Sequence, residues 1–370
     1  MNNKILFLTL RVFSAKGGIE KVCCVFGKAL QEICTESQCS LQILSSHDKT
    51  IDAVGNQYFP IQLFSGFGNN RFLFVLNAFL KGIQSNLIVI SHVNLLPVGW
   101  LIKKIAPNRR LVMLAHGIEI WSLPLGIKKK MLNACDEILC VSQFTKDKIA
   151  AFPISKNIKL TVLNNCIDPY LESQYNNDNI INLRKKYNID QTDKVLFTLA
   201  RLDANERYKG YDRVIMALAA IEKKTYNFKY IIGGSSDEIE RNYVLELIKK
   251  HNLEGRVILT GFIPDEDLKD YFQMSDLYIM PSLNEGFGIV FIEAMFYGVP
   301  VIAGNTDGSV DALLNGALGQ LVNPTNVDEI KNAIISHLET DVNRRPDYNL
   351  LMTHFSYDQY KKKLLPIILN

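Results

Sequence analysis

The chain has 370 residues, 48% hydrophobic and 21% charged, which is ordinary for a globular enzyme and too long for one typical core. No run of ~18 apolar residues is present, so no membrane-spanning helix is expected. Met1-Asn-Asn-Lys4 leads straight into Ile5 without the apolar core and cleavage site of a signal peptide, and a cytoplasmic location is expected.

Short apolar runs alternate with helical stretches in both halves, the pattern of an α/β protein with two parallel, Rossmann-like sheets. In the first half the expected strands are Lys4 to Leu10, Leu41 to Leu44, Leu87 to Ser91, Leu111 to Leu114, Glu137 to Val141 and Lys159 to Leu163. Helices are expected at Ile19 to Ile33 and Arg71 to Ile83. The second of these is bulky and flanked by cations, as an interfacial helix would be, but a buried Rossmann helix is the expectation. The polar segment Asn164 to Asn182 has loop composition and is read as the interdomain linker. Further strands are expected at Lys194 to Ala200, Tyr230 to Gly233, Arg256 to Thr260, Leu277 to Met280, Val299 to Ala303 and Gly319 to Val322. Phe355 to Leu369 reads as an amphipathic helix.

The net charge of +3 hides an asymmetry, because residues 1–180 carry 19 Lys and Arg against 12 Asp and Glu, whereas residues 181–370 carry 22 against 26. The positive half could rest on an anionic membrane surface or meet an anionic acceptor, and solvated helix faces account for it equally well. Nucleic acid is not expected, since no binding module accompanies the charge. All seven cysteines lie in the first half without a zinc spacing and are expected to be small buried hydrophobes.

Ligands of doubly wound sheets bind beyond the carboxyl ends of the strands, and the chemistry-bearing residues cluster there. Gly17-Gly18 lies between the first strand and first helix, where glycine lets backbone approach a ligand. His116 follows the strand Leu111 to Leu114. A lone histidine there is usually a capping or packing residue. Arg201 and Lys209-Gly210 follow Lys194 to Ala200 and could supply fixed cations to a diphosphate. Phe262 and Ile263 follow another strand. Asp265-Glu266-Asp267 comes after Pro264 and is expected to be a helix start rather than a metal site. Glu285-Gly286-Phe287-Gly288-Ile289-Val290-Phe-Ile-Glu293 is the most informative segment. A helix starting near Ile289 would turn the N–H groups of Gly288, Ile289 and Val290 toward a phosphate. Glu293, one turn on, could then accept from a ribose diol, and Glu285 from a second polyol.

These residues resemble the Glu-x7-Glu signature and partner motifs of retaining glycosyltransferases of family four, the group 1 transferases, over most of the chain. The resemblance implies a GT-B fold of two facing Rossmann-like domains with a carboxyl-terminal crossover helix. Residues 1–170 with 354–370 would form the acceptor domain and 183–353 the donor domain. It implies that Arg201 and Lys209 bind the donor diphosphate, with Arg207 competing for the second role because the spacing is longer than usual. His116 and Glu285 would hold the sugar, Glu293 the ribose, Phe262 and Ile263 the base through their backbone, and Gly17-Gly18 would lie near the donor phosphate. Gly304 to Ser309 departs from the family's Gly-Gly-x-x-Glu, with Asp311 roughly at the acidic position, and the loop is given no catalytic role. The implied activity is retaining hexosyl transfer from a UDP- or GDP-sugar to a glycan or lipid-linked glycan acceptor in bacterial surface polysaccharide or lipopolysaccharide assembly. No metal cofactor is expected. The rivals are a nucleotide-sugar epimerase of similar fold and a degenerate protein that only binds nucleotide or glycan.

Overall fold

A computed structural model of the chain describes residues 3–121, 126–154, 157–222, 226–339 and 345–369. It separates into two compact units, residues 1–169 with 356–370, and residues 170–355. Both follow from long apolar runs that can be buried only between two helical layers.

Unit 1 holds strands β1 (Lys4–Thr9), β2 (Ser40–Ser45), β3 (Phe64–Gly66), β4 (Leu87–Ile90), β5 (Arg110–Ala115), β6 (Glu137–Cys140) and β7 (Lys159–Val162). They form one parallel sheet in the order β3-β2-β1-β4-β5-β6-β7. Its helices are α1 (Gly18–Glu36), α2 (Arg71–Gly82), α3 (Leu96–Ile105), α4 (Ile118–Trp121), α5 (Ile127–Leu132) and α6 (Gln143–Ala150). Unit 2 holds β8 (Lys194–Leu199), β9 (Phe228–Gly233), β10 (Val257–Gly261), β11 (Leu277–Met280), β12 (Val301–Gly304) and β13 (Gln320–Val322), all parallel in the order β10-β9-β8-β11-β12-β13. Around them run α7 (Asn177–Lys186), α8 (Tyr211–Ala219), α9 (Glu238–Lys250), α10 (Asp265–Met274), α11 (Ile289–Phe296), α12 (Ser309–Ala312), α13 (Val327–Glu339) and α14 (Tyr348–Phe355). The chain then returns to unit 1 as α15 (Tyr357–Leu369), which buries Tyr360, Leu364, Ile367 and Ile368 in the core under α1. Both sheets reverse their strand order once, between β1 and β4 and between β8 and β11, which places a topological switch point in each unit.

Three sequence expectations change. The segment read as a linker contains the first residues of α7, because Asn176 caps that helix by accepting from the Asn179 N–H and Ile180 is buried. β3 was not anticipated, since three residues at a sheet edge leave no readable period. Most consequential, α2 is not a buried helix. It buries Phe74, Ala78 and Gly82 but leaves Phe72, Leu73, Val75, Leu76 and Leu80 exposed.

One buried charge ties unit 1 together. Glu137, at the start of β6, accepts from Arg110 Nη2 at 2.5 Å and Thr161 Oγ1 at 2.5 Å and pairs with Lys159 at 3.1 Å. Arg110 also donates to the Ile367 carbonyl of α15. Burial alone would raise the Glu137 pKa, but these donors outweigh it and hold it below the ordinary value. The stability it contributes is present above the unfolded pKa of ~4.3 and is lost as pH falls through the lower folded value. Glu137→Ala strands Arg110 and should cost about 3 kcal/mol, read as a lowered unfolding midpoint in urea. The acid-side loss of stability should be smaller in Glu137→Gln than in the wild type.

Candidate functional site

In unit 2 the carboxyl ends of β8 and β11 carry the residues that the sequence singled out. After β8, residues Ala204–Lys209 form a short 3-10 helix rather than an open loop. It ends at Gly210, whose φ of +85° and closeness to the Pro281 carbonyl leave no room for a Cβ. This turn aims Lys209 at Glu285, and the two form an ion pair with side chains 18% and 12% exposed. Burial would depress the Lys209 ammonium, but the Glu285 carboxylate reverses the effect and leaves its pKa above the ordinary value.

Arg207 is committed elsewhere. Its guanidinium grips the buried Glu240 through Nε at 2.9 and 2.8 Å and stacks on the Tyr243 ring at 3.9 Å. Of the two competitors for the second cationic position, Lys209 is the one beside the Glu285 loop. Arg201 is 63% exposed and pairs with Glu206 at 3.1 Å.

The glycine loop after β11 leads into α11 at Gly288, in the left-handed region at φ 82°, where a Cβ would overlap the Phe291 ring. Ile289 and Val290 then open the helix, whose first N–H groups have no acceptor within it. Glu293, one turn in, is buried at 4% exposure. Gly286 lies against Gly308, whose Cβ would overlap the Gly286 carbonyl. Phe287 points into the core, edge-on to Phe355 at 5.6 Å. Beyond β10, Ile263 is buried over Gly233, and Phe262 is 58% exposed. Asp265, Glu266 and Asp267 occupy the first turn of α10.

The loop after β12 has a part that the sequence did not disclose. That part is Asp307. Its carboxylate accepts the Glu285 N–H at 2.6 Å and the Ser309 N–H at 2.9 Å, while the Gly308 N–H returns to the Glu285 carbonyl at 2.8 Å. Asp307 is 1% exposed, and burial pushes its pKa up to about 6 despite these donors. The only sequence signal was the turn composition of Asn305-Thr306-Asp307-Gly308.

In unit 1, α1 begins at Gly18 with Gly17 as its N-cap. The preceding loop is organised by Asp48, also missed from sequence, which accepts the N–H groups of Val12, Phe13 and Ser14 at 2.7, 3.2 and 2.7 Å. His116 lies just past β5. Its Nε2 is 2.7 Å from the Ser91 carbonyl, and a carbonyl only accepts, so Nε2 carries the proton. In the neutral ring Nδ1 is then a bare acceptor, buried and without a hydrogen-bond partner among the described residues. Glu119 accepts the His116 N–H at 2.6 Å and fixes the turn.

Two family models cover most of the chain: "Glycosyltransferase Family 4" matches residues 17–171 and "Glycosyl transferases group 1" residues 179–349. The chain belongs to the family 4, group 1 glycosyltransferases. The GDP-mannose-dependent alpha-(1-6)-phosphatidylinositol monomannoside mannosyltransferase of Mycolicibacterium smegmatis is 28% identical over 69% of this chain and 68% of its own. The capsular polysaccharide biosynthesis glycosyltransferase CapM of Staphylococcus aureus is 30% identical over 56% of this chain and 53% of its own. The chain thus spans about half to two thirds of the length of the curated relatives it matches. The crystal structure of Anabaena Alr3699/HepE in complex with UDP and glucose superposes with a TM-score of 0.80 over 99% of both chains at 23% identity, which shows a GT-B fold.

For the glycosyltransferase, Asp307 predicts a pH effect. Protonation removes the anionic acceptor of the Glu285 N–H, so turnover should fall as pH drops through about 6. Asp307→Asn should lower turnover by roughly ten-fold and abolish that acidic limb. Stability moves the other way, since a carboxyl with a raised folded pKa destabilises the fold once pH exceeds its unfolded value of ~3.9. Thermal melts across that range check the sign.

Proposed function

We propose that the chain is a retaining hexosyltransferase that uses a UDP- or GDP-sugar and a glycan or lipid-linked glycan acceptor in surface polysaccharide assembly, without a metal. The observation that carries this reading is the Lys209–Glu285 pair at the β8/β11 switch point, beside the start of α11. A leaving nucleoside diphosphate gains negative charge as the glycosidic C1–O bond breaks. Fixed cations and helix N–H groups are what lower that barrier. Arg201, Lys209 and the N–H groups of Gly288, Ile289 and Val290 supply them.

Glu293 takes the ribose hydroxyls, and the backbone at Phe262 and Ile263 takes the base edge. Glu285, with its peptide held by Asp307, takes the sugar. In unit 1 the bare Nδ1 of His116 suits a sugar hydroxyl as donor, and Gly17 and Gly18 open α1 as the family's glycine loop does. The acceptor oxygen bonds to C1 on the face that the diphosphate leaves, and its proton passes to the departing phosphate oxygen. With these cations the diphosphate is neutralised without divalent metal. Asp265, Glu266 and Asp267 serve α10 through its dipole instead.

The relatives' names favour this reading, being a GDP-mannose-dependent mannosyltransferase and a capsular polysaccharide glycosyltransferase. The Anabaena neighbour was crystallised with UDP and glucose.

A panel of UDP- and GDP-sugars should raise the melting temperature with one nucleotide preferred. In Glu293→Ala, affinity for that nucleoside diphosphate should fall by roughly 1.5 to 3 kcal/mol by calorimetry, and unchanged affinity removes Glu293 from the site. Turnover should persist in excess chelator. NMR of the first product from an α-linked donor should show an α linkage, and a β product refutes retention. His116→Ala should cut turnover by about an order of magnitude or more while sparing nucleotide affinity.

A further inference from the structure

Helix α2 carries two apolar stripes. Phe74 and Ala78 face the sheet and are buried with the β1, β4 and β5 side chains, and Gly82, four residues on, lies against Ile102 of α3. Phe72, Leu76 and Leu80 repeat at the same spacing and are 75%, 42% and 47% exposed. A helix that is apolar all round is ordinarily buried all round. In α2 the second stripe faces solvent.

The neighbouring helices continue the pattern. α2 packs against α3, and α3 against α5, in the layer covering one face of the unit 1 sheet. α3 exposes Leu101 and Ile105, again four apart, with exposed Lys104 between them. α5 exposes Ile127 beside exposed Lys128 and Lys130. None of the three helices contains an acidic residue. From residue 71 to 130 the sequence holds nine Lys or Arg and a single acid, Glu119.

We propose that the outer face of α2, α3 and α5 is a membrane-docking surface that lies on a bilayer containing anionic lipid. Large apolar side chains on a helix face, framed by cations and free of acids, fit the boundary between acyl chains and negative headgroups. Lysine stems can lie along the apolar surface while their ammonium groups reach the phosphates. A second copy of the chain fits poorly, because a two-fold contact would press this cationic surface against itself. The inference is independent of the reading of the donor site, and its test needs no turnover.

Co-sedimentation of the intact protein with vesicles of phosphatidylcholine alone, or mixed equally with phosphatidylglycerol, decides it. At low salt the mixed vesicles should bind at least about ten-fold more tightly, with binding weakening as salt is added. The double variant Phe72→Ser/Leu76→Ser, at exposed positions, should lose about ten-fold or more of that affinity with its melting temperature kept. Lys128→Glu/Lys130→Glu should shrink the preference for anionic lipid. The proposal is overturned by no binding to mixed vesicles, by equal binding to both vesicle types, or by binding that the serine variants leave unchanged. It is also overturned if sedimentation equilibrium shows an oligomer that the serine variants dissolve while vesicle binding is absent.

Discussion

Glu285 is held from three directions, and the arrangement of the loops at the carboxyl edge of unit 2 depends on that hold. Asp307 takes its N–H, the Gly308 N–H takes its carbonyl, and Lys209 takes its side chain. These partners come from the loops after β12 and β8, so three separate strand ends converge on one residue. Together they fix the entry into α11 and the direction of the Lys209 ammonium, and a charge-stabilising site works only when its charges are already in place. The buried Asp307 is an expensive part of this arrangement. Burial raises its pKa to about 6, so the carboxylate is present at neutral pH at a cost in stability.

The folds of the two units explain why such residues meet. Parallel strands start at one edge and end at the other, so every loop that follows a strand lies at the same edge. In unit 1 the same logic gathers Gly17 after β1, Ser91 after β4 and His116 after β5. The strand-order reversal then leaves a crevice beyond the carboxyl ends of the paired first and fourth strands of each unit. Sequence distance counts for little, as Lys209 and Glu285 show by meeting across 76 residues.

What could be read beforehand follows from the range of each physical signal. Buried parallel strands such as Leu87–Ile90 are continuous apolar runs and announce themselves. The start of α11 was also legible, because Gly288 precedes an apolar helix. Asp307 and Asp48 were not, because each also holds backbone N–H groups 22 or up to 36 residues away and no local pattern encodes such a pairing. The exposure of α2 was hidden for a different reason. Its composition, Arg-Phe-Leu-Phe-Val-Leu-Asn-Ala-Phe-Leu-Lys-Gly, is that of a buried helix, and only the position of its neighbours shows that one stripe has no cover among the described residues. The 3-10 turn at Ala204–Lys209 was hidden likewise, since its polar residues carry no apolar period.

The return of α15 to unit 1 bears on the order in which the protein comes into being. Unit 2 is drawn from one continuous stretch, residues 170–355, so its core can close as soon as that stretch leaves the ribosome. Unit 1 is begun first and finished last. Tyr360, Leu364, Ile367 and Ile368 reach its core only after everything between has been made, and Arg110 waits the same interval for the Ile367 carbonyl. Until then the flank of α1 that α15 covers is bare, and a contact spanning some 257 residues has still to form. The nascent chain therefore carries a sticky, unfinished amino-terminal half through most of its synthesis, and that interval is when chaperones would find it.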